Sequence, residues 1–198
     1  MMSAKETILN AIRANARPIK THPCPALPEA HYTGDPFDTF TQSIIACGGK
    51  AERVSSEAEM QSAIAEHYPD LGEQGVYSVC PEVLPSNRSW YAETPANELE
   101  SPYLSVLRGT LGVLENAAVW IDKESLDIPA LAFWCEHLLL IIDHASLTPR
   151  MAEAYRTLHA SGQHDGYFIA GPSKTADIAQ TLVMGAQGAR TCLVLVKG

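Results

Sequence analysis

The chain has 198 residues, 46% of them apolar, and a formal net charge of −9 at pH 7. That length and apolar content suit a folded α/β domain with a sizeable core and exclude a wholly disordered chain. The acidic balance excludes the basic footprint of a nucleic-acid binder, and the longest apolar run, Leu138 to Ile142, is far too short for a membrane span.

From the amino end, Ser3-Ala4-Lys5-Glu6 reads as a capping box, and Ile8, Ile12 and Ala16 recur at helical spacing until Pro18. The segment lacks the continuous apolar stretch of a secretory signal, so a cytoplasmic location is expected. Prolines 18, 23, 25, 28 and 36 then spell an extended strap. Residues 1–36 are thus expected to be a helix and a strap, and residues 37–198 a single α/β domain.

Within 37–198, Phe37 to Cys47 is predicted helical, stopped by Gly48-Gly49, and Lys50 to Val54 reads as a strand. Ser56 caps a helix reaching about His67, and Gly75 to Cys80 is the next strand. Strand, helix, strand predicts a βαβ unit and a mostly parallel sheet flanked by helices. Residues 81–101 are polar and irregular. Beyond them come a strand Tyr103 to Leu107, a glycine-rich turn Gly109 to Gly112 and a strand Ala117 to Ile121. A short helix Pro129 to His137, a buried strand Leu138 to Asp143 and a helix Thr148 to Ala160 follow, the last with Met151, Tyr155 and Leu158 on one face. Tyr167 to Ala170 and Cys192 to Val196 are the final strands.

Several positions carry candidate chemistry. Gly171-Pro172-Ser173-Lys174-Thr175 follows a strand and precedes a helix-like stretch with Asp177 in its first turn. A helix start offers unpaired N–H groups and the positive end of its dipole, and Ser173, Lys174 and Thr175 add hydroxyls and a cation. The glycines of a Walker A loop are missing, so the loop either holds a small anion or caps its helix. Glu115-Asn116 precedes a strand beside the glycine-rich turn, where Glu115 is either a base or nucleophile or a solvated loop residue. Asp143-His144 follows a strand and Glu136-His137 precedes it. Because α/β sheets bind ligands beyond strand carboxyl ends, His144 is the better placed histidine. Arg190, after a turn with two glycines, can grip an anion bidentately or lie free on the surface.

The five cysteines stand at 24, 47, 80, 135 and 192, with no C-x-x-C pair. They predict reduced thiols and no metal centre built by this chain alone, and the histidines have no metal-binding spacing.

The closing stretch, Gly171-Pro172-Ser173-Lys174-Thr175-Ala176-Asp177-Ile178, then Leu182-Val183-Met184-Gly185 and Gly188-Ala189-Arg190, resembles the signature of the lactate utilization protein C family (the LUD domain). Gly112-Val113-Leu114-Glu115-Asn116-Ala117-Ala118-Val119 and Glu136-His137-Leu138 are similar to two earlier family segments. The chain departs from that pattern at Gln187 for histidine, Ala189 for proline, Ala117 for glycine and Cys135 for proline. The resemblance implies a NagB/RpiA/CoA-transferase-like fold and a role in oxidising L-lactate to pyruvate beside iron–sulfur-containing partner proteins. This chain would have no cofactor of its own. A small carboxylate or phosphate-bearing ligand is expected between the 115 and 171 loops, on the carboxyl-end side of the sheet. Gly171, Ser173, Lys174, Thr175, Asp177, Arg190, Asn116 and His144 would bind it. The rival expectations are a stand-alone CoA-transferase-like or sugar-phosphate-isomerase-like enzyme using Glu115, and a scaffold whose loops only cap helices.

Overall fold

A computed structural model describes residues 3–16, 33–95, 97–163, 165–175 and 182–198. The expected strap lies almost wholly outside them, as do Cys24, Asp177 and the helix-like stretch from Ala176. Helix α1 (Ala4–Ala14) carries the expected capping box between Ser3 and Glu6, and none of its residues is buried.

The elements after the strap follow from local rules. Asp35 accepts the Phe37 N–H at the start of α2 (Pro36–Ala46), and proline at the first helical position needs no donor there. Strand β1 (Lys50–Val54) leads into α3 (Glu57–His67), whose cap, Ser56, accepts the Glu59 N–H. Strands β2 (Val76–Ser78) and β3 (Leu104–Arg108) flank the irregular stretch. Then come β4 (Leu111–Val113), β5 (Val119–Asp122), β6 (His137–Asp143) and β7 (Leu147–Thr148). Helix α4 (Met151–Ser161), β8 (Gly166–Ile169), β9 (Lys174–Thr175), β10 (Val183–Met184) and β11 (Thr191–Lys197) complete the series.

Five strands form the main sheet in the order β1-β11-β6-β3-β2, every pair parallel. The α/β class with a mostly parallel sheet is therefore observed. A second sheet, β7-β4-β5-β8, packs on one face, with antiparallel β4–β5 and β5–β8 pairs. The two faces of β6 separate cleanly. Leu138, Leu140 and Ile142 meet β5, α2 and Ile169, whereas Leu139 and Ile141 meet Met60, Ala63 and Ile64 of α3. The outer face of the second sheet, with Val113 and Trp120, is covered by Ala154 and Leu158 of α4. The layers are α3, the main sheet, the second sheet with α2 beside it, and α4.

Four local expectations are corrected. The β1 and β2 strands joined by α3 are parallel but lie at opposite edges of the sheet, because the later strands β11, β6 and β3 fill the space between them. The turn is confined to Gly109-Thr110, since Gly112 pairs with Val119 and Leu147. The helix expected to reach His137 is only a 3-10 turn, Pro129–Ala132. The Glu136 and His137 N–H groups are taken by the Pro102 and Tyr103 carbonyls, so pairing beside β3 begins before a helix can continue. Tyr155 is exposed and meets Phe168 edge-on, while Ala154 and Leu158 form the buried face of α4.

Gly109 is where the chain passes from one sheet to the other. A Cβ there would lie 2.3 Å from Val119 Cγ1 and 2.6 Å from Ile142 Cγ2. Gly109→Ala is expected to destabilise the protein by about 1–3 kcal/mol through overpacking, read as a lower urea midpoint with an unchanged slope. An unchanged midpoint would show that the two sheets separate there at no cost.

Candidate functional site

The amino ends of the central strands gather most of the chemistry. Loop 171–175 does not lie on the carboxyl-end side of the sheet. The Ser173 N–H donates to the Ala189 carbonyl and the Gly185 N–H to the Ser173 carbonyl, 2.8 Å each, just before β11 begins. Gly171, at φ +78°, presses on Cys47, where a Cβ would meet both Cys47 Cβ and its carbonyl at 3.0 Å. Cys47 ends α2 and immediately precedes Gly48-Gly49 and β1. The loop is thus held at the amino edge by α2 on one side and the 185–190 segment on the other.

Within this loop, Lys174 reaches the carboxyl end of α2. Its Nζ donates to the Ala46 carbonyl at 3.3 Å, at the negative end of the α2 dipole, and its stem crosses Gly48. Lys174 and Thr175 form a two-residue ribbon with Met184 and Val183. The Ser173 side chain faces Gly188, where a Cβ would lie 3.2 Å from Ser173 Cβ.

A cavity of about 490 Å³ opens at the amino ends of β11, β6 and β3, lined by Ser101, Phe133, Trp134, Glu136, Gln187 and Arg190 among others. The Arg190 N–H donates to the Glu136 carbonyl, and Arg190 Nη1 donates to Glu136 Oε1, each at 2.8 Å. Among the described residues that is the only side-chain bond of the guanidinium fork, and the side chain is 66% exposed. Gln187 makes no side-chain hydrogen bond to any described residue.

Behind Glu136 lies an unforeseen cluster around His137. Its Nδ1 is 2.7 Å from Thr191 Oγ1, the Tyr103 ring lies edge-on at 4.6 Å between centroids, and Tyr68 lies at 5.5 Å. The Tyr68 hydroxyl also engages Thr191. Burial lowers the His137 pKa, Glu136 opposes that shift, and Arg190 adds to it. Burial raises the Tyr68 pKa above its ordinary value. A second, smaller cavity of about 130 Å³ borders Tyr68, Thr191, His67 and Lys50. The signal for this cluster was the histidine immediately before the most apolar run, but the rule of strand carboxyl ends favours His144 instead.

His144 and Glu115 stand apart from this group. His144 Nε2 lies 3.1 Å from Asp35 Oδ1 at the opposite, carboxyl end of the sheet. Asp35 also pairs with Arg53, and that guanidinium, with the Phe37 N–H and His144, holds its carboxyl well below the usual carboxylate range. Glu115 has an exposed side chain on a turn, and its N–H donates to the Pro149 carbonyl at 3.2 Å. Asn116 is nearer the amino-edge group: its carbonyl accepts the Cys47 thiol at 3.5 Å, while its Oδ1 accepts the Ala118 N–H. Between them, Ala117 is fully buried with φ at +54°, the left-handed region. Glycine takes up such a backbone more readily than alanine does.

The cysteines are unpaired at 47, 80, 135 and 192. Burial pushes the Cys135 thiol up to about 11 and Cys192 to about 12, so both are held as inert thiols at neutral pH. Among the described residues no three His, Cys, Asp or Glu side chains gather to hold a metal, and no helix is long and apolar enough to cross a membrane.

No family model matches the chain. A stretch of 68 residues is 40% identical to lactate utilization protein C of Halalkalibacterium halodurans, covering 31% of this chain and 30% of that relative's length. Among solved structures, a DUF162 family protein from Deinococcus radiodurans superposes with a TM-score of 0.53. That alignment covers 82% of this chain and 96% of the other at 17% identity, and it shows a shared fold. The likeness to the lactate utilization protein C family read from the closing motif is borne out.

Two outcomes follow for this site. Because the folded-state pKa of His137 is depressed, its contribution to stability is complete above the ordinary value of 6.5 and is lost as pH falls through the lowered pKa. The melting temperature should therefore decline below about pH 6.5, and His137→Phe should flatten that limb; an identical decline in the variant would refute the assignment. Ala117→Gly should be nearly neutral, since relief of about 1–2 kcal/mol of left-handed strain offsets about 0.8 kcal/mol for the buried methyl. Ala117→Val should cost about 2–5 kcal/mol, measured by urea unfolding.

Proposed function

We propose that this chain is a ligand-binding, non-redox component of a lactate-utilization system, acting beside iron–sulfur proteins that carry the electrons. The observation that supports it is the partly unspent Arg190 fork inside the amino-end cavity, in a chain similar to a lactate utilization protein. A carboxylate docks on a guanidinium through two parallel N–H bonds, and Arg190 has such a pair to offer once its single bond to Glu136 is shared or released. Gln187 can donate to, or accept from, the hydroxyl or keto oxygen of a 2-substituted acid. Glu136 and the neutral His137 behind it keep the arginine oriented and supply an acceptor for a proton. Turning lactate into pyruvate removes two electrons, and the sequence has no paired cysteines or dinucleotide fingerprint with which to accept them, so the electron acceptor is assigned to partner proteins. Lys174 belongs to the support of the site, as a cap on α2, and His144 and Glu115 have no part in it.

The test is calorimetric titration of the purified chain with L-lactate and pyruvate, together with capture of its companions from native cells. Binding in the millimolar to micromolar range, about 4–8 kcal/mol, is expected. Arg190→Gln should weaken it by about tenfold or more, the worth of a charge-assisted bond at 1.5–3 kcal/mol, whereas Lys174→Ala should leave affinity within about twofold while lowering stability by about 0.3–1 kcal/mol. Equal affinity in Arg190→Gln would move the site elsewhere. Lactate-dependent dye reduction by the chain alone would overturn the non-redox reading.

A further inference from the structure

The amino-end cavity is much larger than a three-carbon acid requires. At about 490 Å³ it falls within the roughly 300–1,000 Å³ of pockets that hold cofactor-sized molecules, whereas lactate fills the space of a few waters at ~30 Å³ each. Its walls are also unlike those of a pocket for a small polar acid. Trp134 and Phe133 are 44% and 42% exposed. Of the three tryptophans, Trp90 packs edge-on against Tyr77 and Trp120 against Phe168, but Trp134 has no ring partner among the described residues. Phe133 has one side occupied by Tyr167. Two adjacent exposed aromatics on a concave surface form the kind of apolar patch that marks a ligand groove. Trp134 is held in place through its backbone, which accepts the Ser101 hydroxyl at 3.2 Å, and its N–H bonds the Ala130 carbonyl at 2.8 Å. Facing it is the 185–188 segment, glycine at both ends, with the free Gln187 amide and the Arg190 fork at its base.

We infer that this cavity binds an anion carrying a flat aromatic ring, the ring lying on Trp134 and the carboxylate or phosphate on Arg190. The inference rests on the reading that the cavity is a ligand site, and it specifies what that site selects. Any three-carbon acid would then use only the Arg190 end of it.

The experiment compares ring-bearing and ring-free anions of each acid type on the full chain. Benzoate is set against L-lactate, and adenosine monophosphate against inorganic phosphate, each titrated by calorimetry into the parent, Trp134→Ala and Trp134→Phe. The expected result is that at least one ring-bearing anion binds about fivefold or more tighter than its ring-free counterpart, the lower end of the stacking range. The pair that shows the preference identifies the acid group. Trp134→Ala should abolish the preference without changing affinity for the ring-free anion, and Trp134→Phe should keep most of it. Ring-free anions binding as tightly as ring-bearing ones would overturn the inference while leaving the lactate-site reading in place. A preference that survives Trp134→Ala would overturn the placement of the ring. No binding of any of the four anions would overturn both.

Discussion

Strand β6 must be covered twice. Leu138 to Ile142 are all buried, and alternate residues point to opposite faces, so a layer is required on each side of the main sheet. On one side α3 supplies it. On the other, beside α2, the chain builds a second sheet, which has its own apolar outer face and needs α4 in turn. The four layers follow from β6 and its equally buried neighbours β3 and β11. So does the closeness of the two sheets at Gly109, where side chains from β5 and β6 leave no room for a methyl group.

That layering leaves the two ends of the main sheet open, and the chain uses them differently. At the carboxyl end, charged side chains tie neighbouring elements together: Asp35 with Arg53 and His144, and Arg108 with Glu82. These pairs are exposed or half-exposed and each satisfies its partners locally. At the amino end the returning loops 171–175 and 185–190 are stitched to each other by backbone bonds, and a concave space remains between the 185–190 segment and Trp134. The rule that open α/β sheets bind at strand carboxyl ends describes crevices formed where helical connections diverge. Here β3 turns directly into β4 at that end through Gly109-Thr110, so the second sheet takes up the position of a helical connection.

Much of the fold was legible because its signals are local. The cap at Ser56, the glycines after α2 and the apolar run of β6 place their elements within a residue or two. The second sheet was less visible, since β4 and β7 have only three and two residues and their pairing is set by tertiary contacts. Of the site, the arginine and the glycine-bounded turn before it were legible from the closing motif. What Lys174 touches was not: its partner, the Ala46 carbonyl, is 128 positions away, and no local pattern encodes it. His137 was visible as a residue but not as a cluster, because Tyr68, Tyr103 and Thr191 arrive from three separate elements. The left-handed backbone at Ala117 was not legible either, since alanine is not a residue that signals it.

The strand order carries a kinetic consequence. Strand β11 lies between β1 and β6, and Lys50 of β1 finds its partner in Leu193. Strand β1 therefore has no neighbour in the sheet until nearly the whole domain has been synthesised. Closing so long a loop costs entropy before any ladder bond repays it, and parallel pairing between distant segments forms slowly. Until β11 arrives, the apolar faces of β6 and α3 are only partly covered, and the nascent chain is exposed to aggregation at that stage. The same insertion that completes the sheet also brings Thr191 to His137 and Arg190 to Glu136, so the cavity cannot take shape until β11 is in place.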